Sequence, residues 1–286
     1  MSGPTVSTVG VIGAGTMGVG IAYAFAEAGC VVTVAEPDRA RASAAQDTVA
    51  ARADKLQARG QLSAERADHV RTAVTVVESV EAMPTGLDLI IEAVPEDLGL
   101  KQSILTSAEQ RSPKLLATNT SALSISSIAK SLRRPQNLIG LHFFNPVWSM
   151  PLLEIVRASP TPPDVVETAR EIGALVGKET IVVRDFPGFA TSRLGVALGL
   201  EAIRMLEDEV ADARDIDQAM VLGYRHPMGP LRLTDLVGLD VRLHIANQLA
   251  ESLGPRFSPP QLLIDKVAAG ELGKKSGRGF FEWVGA

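Results

Sequence analysis

The chain of 286 residues has a single cysteine, Cys30, so no intrachain disulfide can form. That residue is expected as a small buried hydrophobe in a reducing compartment. Positive charge is not in excess: the formal net charge is −5, which would repel a phosphate backbone, so no nucleic-acid partner is expected. No uninterrupted apolar run approaches the roughly 18 residues that span a bilayer. The longest apolar-looking stretch, 189–205, is broken by Arg193, Glu201 and Arg204 and reads as a packed soluble helix, not a membrane segment. Residues 1–8 lack a cationic start leading into an apolar stretch, so the expected location is cytoplasmic. There is no internal repeat, no low-complexity tract beyond an Ala/Arg-rich stretch near 39–59, and no metal-ligand spacing.

What is present is an ordinary globular composition, 46% hydrophobic and 21% charged, with a regular alternation of patterns. Short apolar runs at 9–12, 31–35, 73–77, 87–93, 115–118, 138–142, 152–156 and 180–183 read as strands. Helical patterns separate most of them, including an alanine-rich helix at 16–28 and a polar one at about 38–59. This is the βαβ alternation of a Rossmann-like, doubly wound, largely parallel sheet with helices on both faces. One connection, between 142 and 152, holds Asn145-Pro146 and Pro151 and is too short for a crossover helix. The strands it joins should therefore run antiparallel. After Asp185-Phe186-Pro187-Gly188 only helical periodicity remains, over 189–208, 212–222, 230–237 and 240–252. The expected organisation is a Rossmann-like α/β domain over 1–184, with a helical arm at about 38–70, and a smaller all-α domain over 185–286.

The run Gly13-Ala14-Gly15-Thr16-Met17-Gly18 follows the first strand and opens the first helix. Gly13 permits the tight turn, Gly15 admits a pyrophosphate close to the backbone, and Gly18 lets helix and strand pack together. The helix N-terminus offers its positive end to the phosphates. Glu36, ending the second strand, would accept hydrogen bonds from the adenosine ribose and repel a 2′-phosphate. That favours NAD over NADP, with Arg39 nearby as an opposing charge.

His142 ends a strand of the same sheet, on the edge where ligands gather. Glu154 lies across the Pro-bounded connection on the neighbouring strand. A carboxylate there could fix the imidazole tautomer and stabilise the cation formed when the other ring nitrogen takes a proton. His69, His226 and His244 lack such an arrangement.

The glycine turn combines with Glu92-Ala93-Val94-Pro95-Glu96, Asn119-Thr120-Ser121-Ala122-Leu123, His142-Phe143-Phe144-Asn145-Pro146 and Glu154. Further along come Asp185 to Phe189, His226-Pro227-Met228-Gly229-Pro230 and the tail Lys274-Lys275-Ser276-Gly277-Arg278-Gly279-Phe280-Phe281. Together, over about residues 7–283, these resemble the L-3-hydroxyacyl-CoA dehydrogenases, most of all the single-function bacterial type acting on 3-hydroxybutyryl-CoA. The resemblance implies reversible, NAD-dependent oxidation of an (S)-3-hydroxyacyl-CoA to the 3-ketoacyl-CoA. His142 would be the base and Glu154 its orienting partner, with Ser121 and Asn145 at the substrate. Thr16, Met17, Glu96, Lys101 and Asn119 would lie along the cofactor. It also implies a homodimer formed through the C-terminal helices.

One position departs from the family pattern: Ser192 stands where an Asn normally precedes the arginine, here Arg193. A hydroxyl is shorter and lacks the two-headed amide. On the polar helix, Arg41, Thr48, Arg52, Lys55 and Arg59 recur at near-heptad steps and share a face. The resemblance implies that this arm helps cover the CoA, with Arg52, Lys55 or Arg59 meeting its phosphates, beside the plainer reading of a solvated face paired with Asp47 and Asp54. Two other functions remain open: a dehydrogenase of a free hydroxy acid, of the gulonate type, and a non-catalytic nucleotide-binding protein like the lens crystallins of this superfamily.

Overall fold

The computed structural model describes residues 6–283, which fall into two compact units divided between Asp185 and Phe186. The first unit is built on one eight-stranded sheet. In chain order its elements are β1 (Thr8–Ile12), α1 (Thr16–Glu27), β2 (Val31–Ala35), α2 (Arg39–Ala58), α3 (Ala64–Ala73), β3 (Val74–Val77), β4 (Leu89–Glu92), α4 (Leu98–Glu109) and β5 (Leu115–Thr118). Then follow α5 (Ile125–Ala129), β6 (Leu138–Phe143), β7 (Leu152–Arg157), α6 (Pro163–Leu175) and β8 (Glu179–Arg184).

Strand order across the sheet is β3-β2-β1-β4-β5-β6-β7-β8. Every pairing is parallel except β6 with β7, as the short proline-bounded connection dictates. The order reverses between β1 and β4, so the carboxyl ends of these strands open a crevice of the kind that binds nucleotides. Central strands are buried on both faces and accordingly read as continuous apolar runs such as Leu89-Ile90-Ile91. The α1 helix is buried without interruption from Gly18 to Ala26, which explains why its charged residue, Glu27, stands at its end.

The expected arm at about 38–70 is two helices with a turn at Gly60, whose φ is 67°. In α2 only Ala45, Val49 and Ala53 are buried, a narrow stripe at four-residue steps. Asp38 caps its first turn by accepting from Arg41 N at 2.9 Å, and Ser63 does the same for α3 at Arg66 N. Arg71 of α3 locks the pair by reaching Asp54 at 2.7 Å. Cys30 is buried, its Sγ donating to Val6 O at 3.6 Å, and burial pushes the thiol up to about 11.

The first unit ends one residue beyond the expected 184, because Asp185 belongs to it chemically. Its carboxylate accepts from Ser124 Oγ at 2.8 Å, Ile125 N at 3.1 Å and Ser126 N at 2.8 Å, capping α5.

The second unit is helical: α7 (Thr191–Glu207), α8 (Ala213–Gln218) running into a π turn at Ala219–Gly223, α9 (Pro230–Val237), α10 (Leu239–Leu253) and α11 (Gln261–Ala268). Its own core gathers Val196, Leu200, Ile203, Leu231, Leu249 and Leu263 among others. The tail returns to α9, where the buried Asp235 carboxylate accepts from Phe280 N at 2.8 Å, Phe281 N at 2.9 Å and Trp283 Nε1 at 2.8 Å. Gly273 and Gly279 flank this clasp, and a Cβ on either would run into Asp235. Gly279 of the tail motif thus leaves the space that the carboxylate needs, and Gly273 makes room for the backbone of Asp235.

Candidate active site

The nucleotide turn is built as its glycines require. Gly13 takes φ 97°, and a Cβ there would stand 3.1 Å from the Ala93 carbonyl oxygen. A Cβ on Gly18 would collide with the Gly13 carbonyl, whereas the space above Gly15 is open. The first turn of α1 holds no acidic residue and its N-cap has no side chain, so its amides face outward unspent. Beside them lies a cleft of about 690 Å³ lined by residues 13–17, Glu36, Val94, Pro95 and Ile104. This open helix end, the missing Cβ atoms and a cleft of that volume fit a dinucleotide.

Glu36 turns one oxygen to Ala14 N at 3.0 Å; the other accepts from Asp38 N at 3.0 Å and Arg41 Nη2 at 2.8 Å. Burial alone would raise its carboxyl. The Arg41 pair and the two amides outweigh that and hold it below the usual range. Arg41, which the sequence groups with the CoA-facing residues of α2, therefore lines the nucleotide cleft instead. The residue opposing Glu36 is Arg41 and not Arg39.

At the end of β4 and β5 lies a charged network that the sequence reading largely missed. Glu92, fully buried, accepts from Val94 N at 2.6 Å, Thr118 Oγ1 at 2.7 Å and Lys101 Nζ at 2.7 Å. Lys101, 1% exposed, also reaches Glu96 at 3.3 Å. Glu96 in turn accepts from Thr120 Oγ1, Ser121 N at 3.0 Å and Ala122 N at 2.9 Å. Burial pulls the Glu96 carboxyl up, but the Lys101 charge leads the contacts that hold it below its ordinary value. Lys101 thus stands behind Glu96, sealed from the cleft. A lone carboxylate closing the apolar run Leu89-Ile90-Ile91-Glu92 was the available signal for this network, since a buried charge requires partners.

Asn119 fixes the neighbouring strand: its Oδ1 accepts from Phe143 N at 2.9 Å, one residue past His142. In the β6–β7 ladder His142 stands directly opposite Glu154. Nδ1 of His142 lies 2.9 Å from Glu154 Oε2, with the histidine 6% and the glutamate 0% exposed. Glu154 is therefore no edge-strand charge facing water. The imidazole also packs on Phe144, ring centroids 4.4 Å apart. The contact between Nδ1 and the carboxylate fixes the orientation of the ring.

Ser121 sits half-buried at the Glu96 carboxylate, and Asn145 is exposed just past His142. Arg52 does not stand open for phosphates: its guanidinium packs over the Trp148 ring at 4.4 Å and the Tyr23 ring at 5.3 Å. It pins α2 to the connection between β6 and β7. Lys55 is exposed on α2, and Asp54 pairs with Arg71 rather than along the helix. Ser192 lies in the first turn of α7, in the second unit.

The fold and this constellation define a nucleotide-dependent dehydrogenase with a histidine–carboxylate pair. Residues 8–186 match the family described as 3-hydroxyacyl-CoA dehydrogenase, NAD binding domain, and residues 188–283 match the 3-hydroxyacyl-CoA dehydrogenase C-terminal domain. The chain belongs to the 3-hydroxyacyl-CoA dehydrogenase family, and its cofactor is NAD. It is 39% identical over 283 residues to a 3-hydroxybutyryl-CoA dehydrogenase of Mycobacterium tuberculosis, covering 97% of this chain and 99% of that one. It is 38% identical to another from Clostridioides difficile, covering 96% and 98% of the two chains. The crystal structure of (S)-3-hydroxybutyryl-CoA dehydrogenase from Ralstonia eutropha superposes with a TM-score of 0.92 at 34% identity, covering 97% of this chain and 99% of that one.

Proposed function

We propose that this protein catalyses the reversible NAD-dependent oxidation of short-chain (S)-3-hydroxyacyl-CoA thioesters, 3-hydroxybutyryl-CoA foremost, with His142 as general base. The observation that carries the base is the buried His142–Glu154 pair at 2.9 Å on adjacent strands. NAD, when bound, supplies the hydride acceptor. His142 Nε2 removes the hydroxyl proton, and Glu154 holds Nδ1 protonated and stabilises the imidazolium that results. Ser121 donates to the substrate oxygen, sharing its backbone amide with Glu96. Glu96, held ionised by Lys101, keeps the Ser121 turn in place and borders the cofactor. Gly13, Gly15, Thr16, Met17 and Gly18 hold the pyrophosphate, and Glu36 the adenosine ribose. Asn119 fixes the amide after His142.

CoA binding would draw on Lys55, which is exposed on α2, more than on Arg52, whose charge is already spent on two rings. We also infer a homodimer through the C-terminal helices. There Leu222 and Tyr224 are 73% and 76% exposed, more apolar surface than a monomer gains by showing to water. The deciding assay follows nicotinamide absorbance during acetoacetyl-CoA reduction, with NADH and NADPH separately and free acetoacetate as control. Turnover with NADH on the thioester alone is expected. Equal turnover of free acetoacetate would overturn the reading in favour of a hydroxy-acid dehydrogenase.

A further inference from the structure

Beside Glu36 in the nucleotide cleft, Arg41 keeps most of its hydrogen-bonding capacity unspent among the described residues. One N–H, on Nη2, goes to Glu36 Oε1 at 2.8 Å. Nη1 lies 4.0 Å from Asp38 Oδ2, too far for a hydrogen bond. A guanidinium carries five N–H donors in a rigid fork, so the others remain for a ligand. The side chain is 60% exposed and lines the cleft. Glu36 does not need it to stay in place. Ala14 N holds one carboxylate oxygen at 3.0 Å, and Asp38 N holds the other at 3.0 Å.

This surplus cation changes what the site rejects. A lone carboxylate at the ribose excludes a 2′-phosphate by like charge. Here Glu36 and Arg41 touch and their charges cancel, and Arg41 is the only cation lining the cleft among the described residues. Ribose hydroxyls that reach Glu36 would bring a phosphate on the 2′ oxygen to the same guanidinium. A planar fork meets phosphate oxygens with two parallel hydrogen bonds. Glu78 and Glu81, from the segment after β3, also line the cleft and oppose that phosphate. The phosphorylated cofactor is therefore admitted without being preferred. Its extra group belongs to the adenosine ribose, remote from the nicotinamide, so the hydride and proton transfers are unaltered.

We propose that Arg41 receives the 2′-phosphate of NADP(H), so that the enzyme takes NADPH as a second, poorer cofactor and Arg41 sets how far NADH is preferred. The proposal rests on the reading of Glu36 as the ribose partner in a nicotinamide-dependent dehydrogenase.

The first arm of the test needs no turnover. The ligands 5′-AMP and 2′,5′-ADP differ only in the 2′-phosphate, and each is titrated against bound NADH by fluorescence displacement. The wild-type protein should bind 2′,5′-ADP no more than about a hundredfold more weakly than 5′-AMP. Arg41→Ala should widen that gap by about fivefold or more, a modest figure for a charged hydrogen bond because the side chain is open to water. Arg41→Lys should keep part of the affinity as a point charge without the fork. The second arm follows acetoacetyl-CoA reduction at saturating thioester. Wild-type kcat/KM for NADPH should lie within about a hundredfold of that for NADH, and Arg41→Ala should widen the difference by a similar fivefold, chiefly through KM.

The sign of the change is decisive. If Arg41 served only to hold Glu36, its removal would loosen the ribose contact and narrow the preference for the unphosphorylated ligand. Such a narrowing, or a widening below fivefold, overturns the proposal. So does a wild-type gap above a hundredfold in either arm, a comparison that stands even if the alanine variant folds poorly. Failure of either nucleotide to displace NADH would remove the ribose reading and the proposal together. The expected nucleotide ratios without turnover of any thioester would keep the phosphate site and remove the assigned reaction.

Discussion

The buried His142–Glu154 pair shows what a single residue contributes here. Glu154 costs nothing in extra chain, because the strand it sits on is needed anyway to extend the sheet. Its loss should nevertheless be severe. His142→Gln is expected to lower kcat by about 10²–10⁴-fold with NADH affinity unchanged, as measured by single-turnover kinetics and fluorescence titration. Glu154→Gln should retain the fold and lose a smaller but substantial part of kcat, since a neutral amide cannot stabilise the imidazolium. A Glu154→Gln enzyme with full kcat would show that the carboxylate only fills space. At the cofactor end, Glu36→Gln removes the charge facing a ribose phosphate and leaves Arg41 without its partner. The ratio of kcat/KM for NADH over NADPH should then fall by about tenfold or more. His142 and Glu36 were legible in the sequence because they stand at the carboxyl ends of strands, and Glu154 because a connection too short to cross over sets its strand antiparallel beside that of His142. The Arg41 contact and the loss of Arg52 to two rings were not, because long flexible side chains on one helix face can reach several partners and only packing selects among them.

Elements carry the next level of legibility. Strand positions could be read to within a residue or two because fully buried parallel strands leave uninterrupted apolar runs, and the antiparallel pair followed from a connection too short to cross over. The division of the arm into α2 and α3 was hidden, since both helices are polar on most faces and the break is short, a turn at Gly60 followed by the cap at Ser63. Nor did Gly279 of the C-terminal motif announce that it makes room for the Asp235 carboxylate. That clasp makes a sharp test at the scale of one element. Asp235→Leu would leave the Phe280 and Phe281 amides and the Trp283 indole N–H without an acceptor. The expected cost is on the order of 3 kcal/mol, roughly 5–10 °C in Tm by calorimetry. An unchanged Tm would mean that the tail finds other acceptors.

Over the whole molecule, the carboxylates set the response to acid. Asp88 is pulled up by burial but held far below its ordinary range by Lys114 and by the Ser7 and Thr8 donors, which tie the start of β1 to the segment before β4. Glu36 and Glu96 are depressed as well. A carboxyl group whose folded value lies below its unfolded value stabilises the fold fully above the unfolded value and loses that contribution as pH falls. Tm should therefore be flat above about pH 5 and drop steadily below the ordinary carboxylate range near 4. Asp217, raised by desolvation, opposes this trend, its penalty being relieved on protonation. Asp88→Asn should flatten the acid slope; an unaltered slope would assign it to other groups.

The ladder that joins β6 to β7 has a further consequence. Strand pairing admits slips, and a slip of one residue turns every side chain to the opposite face of the sheet. In this protein such an error would leave much of the hydrogen-bonded sheet standing but send the Glu154 carboxylate away from the His142 ring. Turnover is thereby a sensor of strand alignment: a misaligned molecule could still look folded to a spectrometer, yet it would be silent in the assay.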